Sequence, residues 1–241
     1  MEQKTRGIVL RTVKYGDQKI IVDLLSREEG RLSCVCKVGT SAKSKFRRQL
    51  FQPLTILEIV AERSPRQPLG QLREARLAVP YTSIPFDGAK LSIAFFLAEF
   101  LSFATRDMHT DATLYDFVEQ SLAWLDMSDR GIANFHLMFI MRLSRFLGFF
   151  PDTDSYTSGA LFDLREGRFT SVAPFHTDFL KPEDAGRMLT LIRMSPSNLH
   201  LFQMSRHDRN RTVDLILHFY RLHIPAFGEM KTLKVLREDS I

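Results

Sequence analysis

Two cysteines in 241 residues, Cys34 and Cys36, are too few and too close together for a disulfide framework. Their spacing is not that of a zinc knuckle either. On a strand it puts both on one face, where they read as small buried hydrophobes in a reducing compartment. The longest apolar run, Leu91 to Phe103, is broken by Glu99 and is too short to span a bilayer. Met1 to Arg6 is polar and lacks a signal-peptide core, so a cytosolic protein is expected. The chain has no internal repeat and no low-complexity tract. It has no Walker-type phosphate loop, no GxSxG elbow and no Cys/His pair set in a supporting motif. Among the seven histidines, His218 and His223 lie five apart and do not stack on one helical face as a pair four apart would. His136 sits on an otherwise apolar helix and reads as a core or surface residue. Asp163 and Glu166 flank a turn and make a poor hydrolytic pair.

What is present is an uneven charge. Residues 1–80 hold 16 Lys and Arg against 8 Asp and Glu, whereas the remainder holds 17 against 20. An N-terminal part that meets polyanions and a C-terminal part with another task are implied. The excess peaks in Lys37-Val38-Gly39-Thr40-Ser41-Ala42-Lys43-Ser44-Lys45-Phe46-Arg47-Arg48, which has five cations and no acid. Such a loop between strands suits phosphates, with side chains supplying charge and a flexible backbone supplying N–H groups. A solvated basic loop is the plainer reading of the same residues.

Residues 5–80 read as antiparallel β-structure. Gly7 to Val13 alternates Ile8, Leu10 and Thr12 against Val9, Arg11 and Val13; Lys19 to Leu25 sets Ile20, Val22 and Leu24 on one face; Arg31 to Lys37 does the same for Leu32, Cys34 and Cys36. Leu54 to Ala61 and Leu72 to Val79 follow, with turns at Tyr15-Gly16-Asp17 and Glu28-Glu29-Gly30 and a Pro-containing loop over Arg63 to Gly70. Five short strands in about 80 residues fit a small barrel or sandwich. An OB barrel matches, although period alone does not separate it from an SH3-like one. From Gly88 the period is helical. Ala89 to Arg106 is apolar nearly all round, Asp111 to Leu125 has Asp111 as its N-cap, and Ile132 to Phe149 stops at Gly148 and Pro151. Ala160 to Leu164 and Arg168 to Thr170 read as a hairpin. Helices resume at Pro182 to Met194, Pro196 to Phe202 and Asn210 to His223, and Thr232 to Leu236 is a last helix or a tail. The fold class expected is α+β: an OB barrel over 1–80, then a mainly helical domain over 81–241 with the hairpin inserted at 151–174.

The run from Gly7 to Gly39, the basic loop, Leu50-Phe51-Gln52-Pro53-Leu54, Phe146-Leu147-Gly148-Phe149-Phe150-Pro151 and the hairpin, in that order, resemble the bacterial DNA-repair RecO family over most of the chain. The resemblance implies a five-stranded OB domain that binds single- and double-stranded DNA, followed by a helical domain. It implies a non-enzymatic recombination mediator that binds the acidic C-terminal tail of the single-stranded-DNA-binding protein SSB. Such a protein acts with RecR, helps load RecA on SSB-covered DNA and anneals strands, with no membrane involved and at a cytoplasmic, nucleoid-associated location. Many family members carry a cysteine zinc site around the hairpin. Pro151 to Pro174 has no Cys, so neither zinc nor any other cofactor is expected, and packing of Tyr156, Leu161, Phe162 and Phe169 is expected to hold the hairpin.

The DNA-contacting candidates are Arg6, Arg11, Lys14, Lys37, Lys43, Lys45, Arg47 and Arg48. Phe46 or Phe51 could offer a base-stacking face, and a core or hinge contact is the alternative for each, favoured for Phe51. Arg206, His207, Arg209 and Arg211 form a second basic cluster, whose alternative is an ordinary polar loop. For the SSB tail, an apolar pocket rimmed by cations is needed. Arg142 and Arg145, with Phe139 and Phe146 nearby, are the candidates, and simple solvation of that helix is the alternative. A second functional reading is a nucleic-acid-modifying enzyme whose OB domain delivers substrate; a third is a structural adaptor without DNA affinity.

Overall fold

The computed structural model describes residues 2–39, 44–63 and 69–238. They fall into two compact units, one within Met1–Met127 together with Met230–Asp239, the other within Ser128–Glu229.

In the first unit β1 (Glu2–Lys14), β2 (Lys19–Ser26), β3 (Gly30–Lys37), β4 (Ile56–Glu62) and β5 (Gly70–Leu77) close into a barrel in the order β1-β2-β3-β5-β4, with β4 returning to β1. All pairs are antiparallel except β3 with β5, which meet in parallel at Cys34–Gly70 and Val35–Gln71. This is the OB arrangement. Its interior is a layer of aliphatic and small residues, among them Val22, Leu24, Leu32, Cys34, Ile59 and Leu72. Burial pushes the Cys34 thiol up to about 11 and Cys36 to about 12, so both are neutral packing groups.

β1 is longer than its apolar alternation suggests. Glu2 to Ile8 pairs with β4 while Gly7 to Lys14 pairs with β2, and a register shift lies between Val9 and Arg11. The simple alternation expected over Gly7 to Val13 fails here, because Ile8, Val9 and Leu10 are all buried. A bulge re-aims side chains, and the helix Gly88–Ala104 packs against β1, so the strand has two covered faces at this point. Val9 also bonds to the chain entering β4: its C=O accepts from Leu54 N–H at 2.7 Å and its N–H donates to Thr55 at 3.0 Å. Leu54 takes a left-handed φ of 62° to do so, unusual for a residue with a Cβ. At Gly30, also left-handed, an added Cβ would meet the Thr110 backbone at 3.1 Å, so glycine lets the β2–β3 turn sit against the chain at His109 and Thr110.

The helices α1 (Gly88–Ala104) and α2 (Ala112–Met127) belong with the barrel in the same unit, as does α6 (Leu233–Glu238). The expected division at residue 80 therefore marks the end of the barrel strands rather than the edge of the packed unit. Asp111 caps α2 as expected, accepting from Thr113 and Leu114 N–H. Arg6–Glu119 and Arg27–Asp116 ion pairs join strand and turn to α2. Glu99, the acid in the apolar helix, accepts from Lys231 and Thr232 N–H and so anchors the segment before α6.

In the second unit a 3-10 turn (Ile132–Asn134) leads into α3 (Phe135–Phe146). The single helix expected from Ile132 to Phe149 is thus shorter at both ends, where Gly131 and Gly148 take left-handed φ. β6 (Leu161–Asp163) and β7 (Arg168–Thr170) form the expected hairpin. A third strand, β8 (Phe179–Leu180), pairs with β6 and is too short to leave a period in the sequence. α4 (Pro182–Arg193) matches expectation. Pro196 to Phe202 does not: only a 3-10 turn forms, at Leu199–Leu201, because the Asn198 side chain bonds both Ser195 N–H and the Arg193 carbonyl and folds the segment back. α5 (Arg206–His223) begins four residues before the expected start. Ser205 caps it, accepting from Asp208 N–H, and the polar first turn carries no apolar stripe to betray it.

The chain between β5 and α1 is fixed by one carboxylate. Asp126 accepts from the N–H groups of Thr82, Ser83 and Ile84 at 2.8–2.9 Å, while the buried Lys90 ammonium donates to the Asp126 carbonyl and to Ser83 Oγ. Burial alone would raise the Asp126 pKa; the three N–H groups outweigh it and hold the carboxyl down to about 2. Its stabilisation is therefore complete above the ordinary Asp range near 4 and is lost as pH falls from there toward 2. Asp126→Asn is expected to cost about 2 kcal/mol at neutral pH, with the difference from the parent shrinking below pH ~4. Urea unfolding of both proteins across pH checks this; a pH-independent difference would contradict the carboxylate's role.

Candidate nucleic-acid interface

The cations of the first unit divide into those with a carboxylate partner and those without. Arg6 pairs with Glu119 at 2.7 Å, Arg11 with Asp23 at 2.5 Å, Arg63 with Glu29 at 3.4 Å, and Arg73 and Arg76 with Glu62 and Glu58 on β4. Lys14, Lys19, Lys37, Lys45, Arg47 and Arg48 are exposed and have no acidic partner among the described residues. Five of the eight sequence candidates thus present free charge: Lys14, Lys37, Lys45, Arg47 and Arg48. Arg6 and Arg11 are partly exposed but committed to acids, and Lys43 lies outside the described residues.

The β3–β4 connection is anchored under its cations. Val38, Phe46 and Phe51 are buried in the barrel cluster, with the two rings edge-on at 6.0 Å, and Gly39 N–H donates to the Phe46 carbonyl. Of the two readings of Phe46 and Phe51 the core contact holds and the base-stacking one is corrected: both rings are buried in the barrel cluster, while Lys45, Arg47 and Arg48 are exposed. The exposed aromatic of the barrel strands and hairpins is Tyr15, half exposed in the β1–β2 turn. In the sequence it stands beside Gly16 and reads only as turn.

Asp23 is the acid at the centre of the β1–β2–β3 outer face. It is buried, yet Ser33 and Arg11 bond to it and Arg31 lies 4.0 Å away. Burial opposes ionisation, but those donors prevail and its pKa is lowered. The face therefore carries no free negative charge at its middle.

In the second unit the proposed tail residues separate. Phe139 is wholly buried and does not line any surface, which removes it from the expected set: α3 is packed by α4 and α5. Arg142 is half buried and donates to the Met194 carbonyl at 3.1 Å, and burial lowers its pKa. Arg145 is exposed and stacks on Phe150, 4.2 Å from the ring centroid, with Phe146 partly exposed next to it. Of the second basic cluster, Arg211 pairs with Asp184 and Arg209 donates to the Met204 carbonyl, whereas Arg206 and His207 are exposed on the first turn of α5. His136 is buried and its pKa is pushed down to about 3, by burial first and Arg209 second, so it stays neutral in the core.

Around the hairpin the Asp163 carboxylate accepts from Arg165 and Glu166 N–H and lies 3.4 Å from His176. Asp178 joins Arg165 and His218. Tyr156, Phe162 and Phe169 stack edge-on at 4.9–5.0 Å, and Phe162 reaches Phe219 on α5. Among the described residues no three His, Cys, Asp or Glu side chains gather as a metal site would require.

Fold and charge together define the class: an OB-barrel protein with an unpaired cationic surface, continued by a helical unit. The family model described as Recombination protein O N terminal matches residues 1–81, and that described as Recombination protein O C terminal matches residues 85–232. The chain belongs to the RecO family. It is 46% identical over 238 residues to the DNA repair protein RecO of Phocaeicola vulgatus and 44% identical over 239 residues to that of Bacteroides fragilis, with 99% of each chain covered in both cases. The RecO of Flavobacterium psychrophilum is 32% identical over 240 residues, again with 99% of each chain covered. No helix among the described residues is long and apolar enough to cross a membrane.

If aromatic packing holds the hairpin, Phe169→Ala is expected to destabilise the protein by about 3 kcal/mol. Chelator treatment is expected to leave the melting temperature unchanged, with zinc well below one per chain by elemental analysis. Stoichiometric zinc that survives washing would contradict this account.

Proposed function

We propose that the chain is a non-enzymatic DNA-binding mediator of recombination, acting in DNA repair. The observation that carries this reading is the set of exposed cations on the barrel without carboxylate partners among the described residues, next to arginines that have them. Each unpaired cation that meets a phosphate releases counterions, so binding is strongly salt-dependent and indifferent to base sequence. The RecO name of the relatives supports the repair role. With it come the finer parts of the reading: binding of single- and double-stranded DNA, engagement of the SSB tail, partnership with RecR, help in loading RecA, and strand annealing at the nucleoid. Incubation with labelled DNA, Mg²⁺ and ATP is expected to give neither nicking nor nucleotide hydrolysis; either product would favour the enzyme reading.

The test of the DNA surface is the triple replacement of Lys45, Arg47 and Arg48 by Ala. Affinity for single strands and duplex is expected to fall together. The plot of log affinity against log salt is expected to flatten by about 2 on single strands and about 2.7 on duplex. Fold stability should be nearly unchanged, since exposed cations contribute little. A folded variant with the parental affinity and slope would reduce the loop to solvated surface.

For the SSB tail we place the contact at Arg145 and Phe146, with Arg142 behind them. Arg145→Glu is expected to weaken an acidic SSB C-terminal peptide at least tenfold by adding repulsion to the lost attraction, while oligonucleotide affinity stays close to parental. Fluorescence anisotropy with labelled peptide and labelled DNA separates the two; unchanged peptide affinity moves the site elsewhere.

A further inference from the structure

A cleft of about 730 Å³ opens in the first unit where the β3–β4 connection meets the segment leading from β5 into α1. Small-molecule sites are mostly apolar concavities of roughly 300–1,000 Å³ with a few polar groups set in them. This cleft has that build. Leu50 and Pro53 line it from the β3–β4 connection, Leu77 and Pro80 from the end of β5, and Leu91 and Phe95 from α1. Leu77 is 48% exposed there. Tyr81 lines the cleft too, and its Oη donates to the Leu54 carbonyl at 2.8 Å, which bonds the segment before α1 to the β3–β4 connection. The Asp126 carboxylate fixes the same segment through the Thr82, Ser83 and Ile84 N–H groups. The cleft is therefore held open in advance, and little ordering is left for a ligand to drive.

Its charge is of one sign. Lys45 and Arg47 line it, and neither has an acidic partner among the described residues. No acid among the described residues lines it. The acids of the neighbouring segment are occupied elsewhere: Asp126 as above, and Asp87 as the cap of α1, accepting from Lys90 N–H at 3.0 Å. A polyanion by itself would use the two cations and leave the apolar lining idle. A neutral apolar molecule would do the reverse. We propose that the cleft binds a small aromatic acid. Its flat body lies against Tyr81, Phe95 and the proline rings, which suit planar groups, and its single anionic group meets Lys45 and Arg47. The same two cations belong to the surface assigned above to DNA phosphates, so the acid and DNA exclude each other there and the ligand restrains DNA binding. That competition rests on the proposed DNA-binding role; the cleft and its ligand class do not.

The probes are two fluorescent dyes with one aromatic body, anilinonaphthalene sulfonate and the uncharged N-phenylnaphthylamine, titrated into the full-length protein with thermal melts to confirm folding. The sulfonate is expected to bind saturably. Lys45→Ala with Arg47→Ala should weaken the sulfonate roughly tenfold and the neutral dye by less than about twofold. Leu77→Glu, which sets an acid at the apolar lining, should weaken the sulfonate at least about tenfold, whereas Leu77→Met should match the parent. Against a labelled oligothymidylate, saturating sulfonate should lower DNA affinity as far as the double replacement does, and should change nothing in the doubly replaced protein. A folded protein with no saturable dye binding overturns the site. So does a sulfonate affinity that neither the double replacement nor Leu77→Glu alters, because the dye then sits elsewhere. Displacement of the dye by an acidic peptide ending in an apolar residue gives the cleft to a protein tail and overturns the small-ligand assignment. Dye and DNA bound together at their separate affinities overturn the competition. A protein that takes the dye in the cleft and binds no DNA removes the DNA-binding reading and leaves the site standing.

Discussion

β1 has to pair with two strands at once, and the rest of the barrel depends on how it does so. Its first half lies along β4 and its second half along β2, with the exchange made at the Val9–Arg11 irregularity. Closing the sheet this way removes its edges. Val9 then bonds to Leu54 and Thr55 in both directions, and the left-handed Leu54 is held in that conformation by the closure, with Tyr81 Oη donating to its carbonyl. Past the exchange, Arg11 to Tyr15 emerges from beneath the helices and is exposed throughout. The open and covered ends of the outer face are therefore two consequences of one backbone event.

Charge follows the same division. Where the barrel meets α2, and along the β4–β5 pair, arginines are matched by Glu119, Asp116, Glu62 and Glu58. Those pairs are partly exposed and contribute little to stability, yet they cancel charge locally. Where the barrel faces solvent at the β3–β4 connection and at the end that holds the β1–β2 turn, Lys14, Lys19, Lys37, Lys45, Arg47 and Arg48 have no acidic partner among the described residues. The formal net charge of +5 is modest, and its effect on a polyanion comes from this concentration on one part of the surface.

The second unit solves a different problem. A three-stranded sheet with strands of two or three residues has little ladder to hold it. Its order comes from side chains: the Asp163 carboxylate shapes the turn, the Tyr156–Phe169–Phe162–Phe219 chain of rings ties sheet to α5, and His223 stacks on Phe149 while meeting the Leu164 carbonyl. Aromatic edges and a carboxylate are adequate substitutes for longer strands, because each ring buries a large area and the buried carboxylate satisfies turn N–H groups that water would otherwise have to reach.

Much of the architecture was legible in the sequence because it rests on period. Alternation located the five strands, the apolar helix over Ala89 to Arg106 announced a buried α1, and Asp111 marked its own cap. The acid-free run from Lys37 to Arg48 identified the cationic loop. Local pattern did not determine pairing. That Arg6 and Arg11 are matched by Glu119 and Asp23 while Lys19 and Lys37 are not is decided by residues up to 113 positions apart. The inward turn of Phe46 and Phe51, the burial of Phe139 under two helices, the partnering of Asp126 with the chain before α1, and the short β8 were likewise set by neighbours distant in the chain. Composition and period fix which residues are apolar, charged or able to cap; only closure of the barrel and packing of the helices fix which of them are left facing solvent.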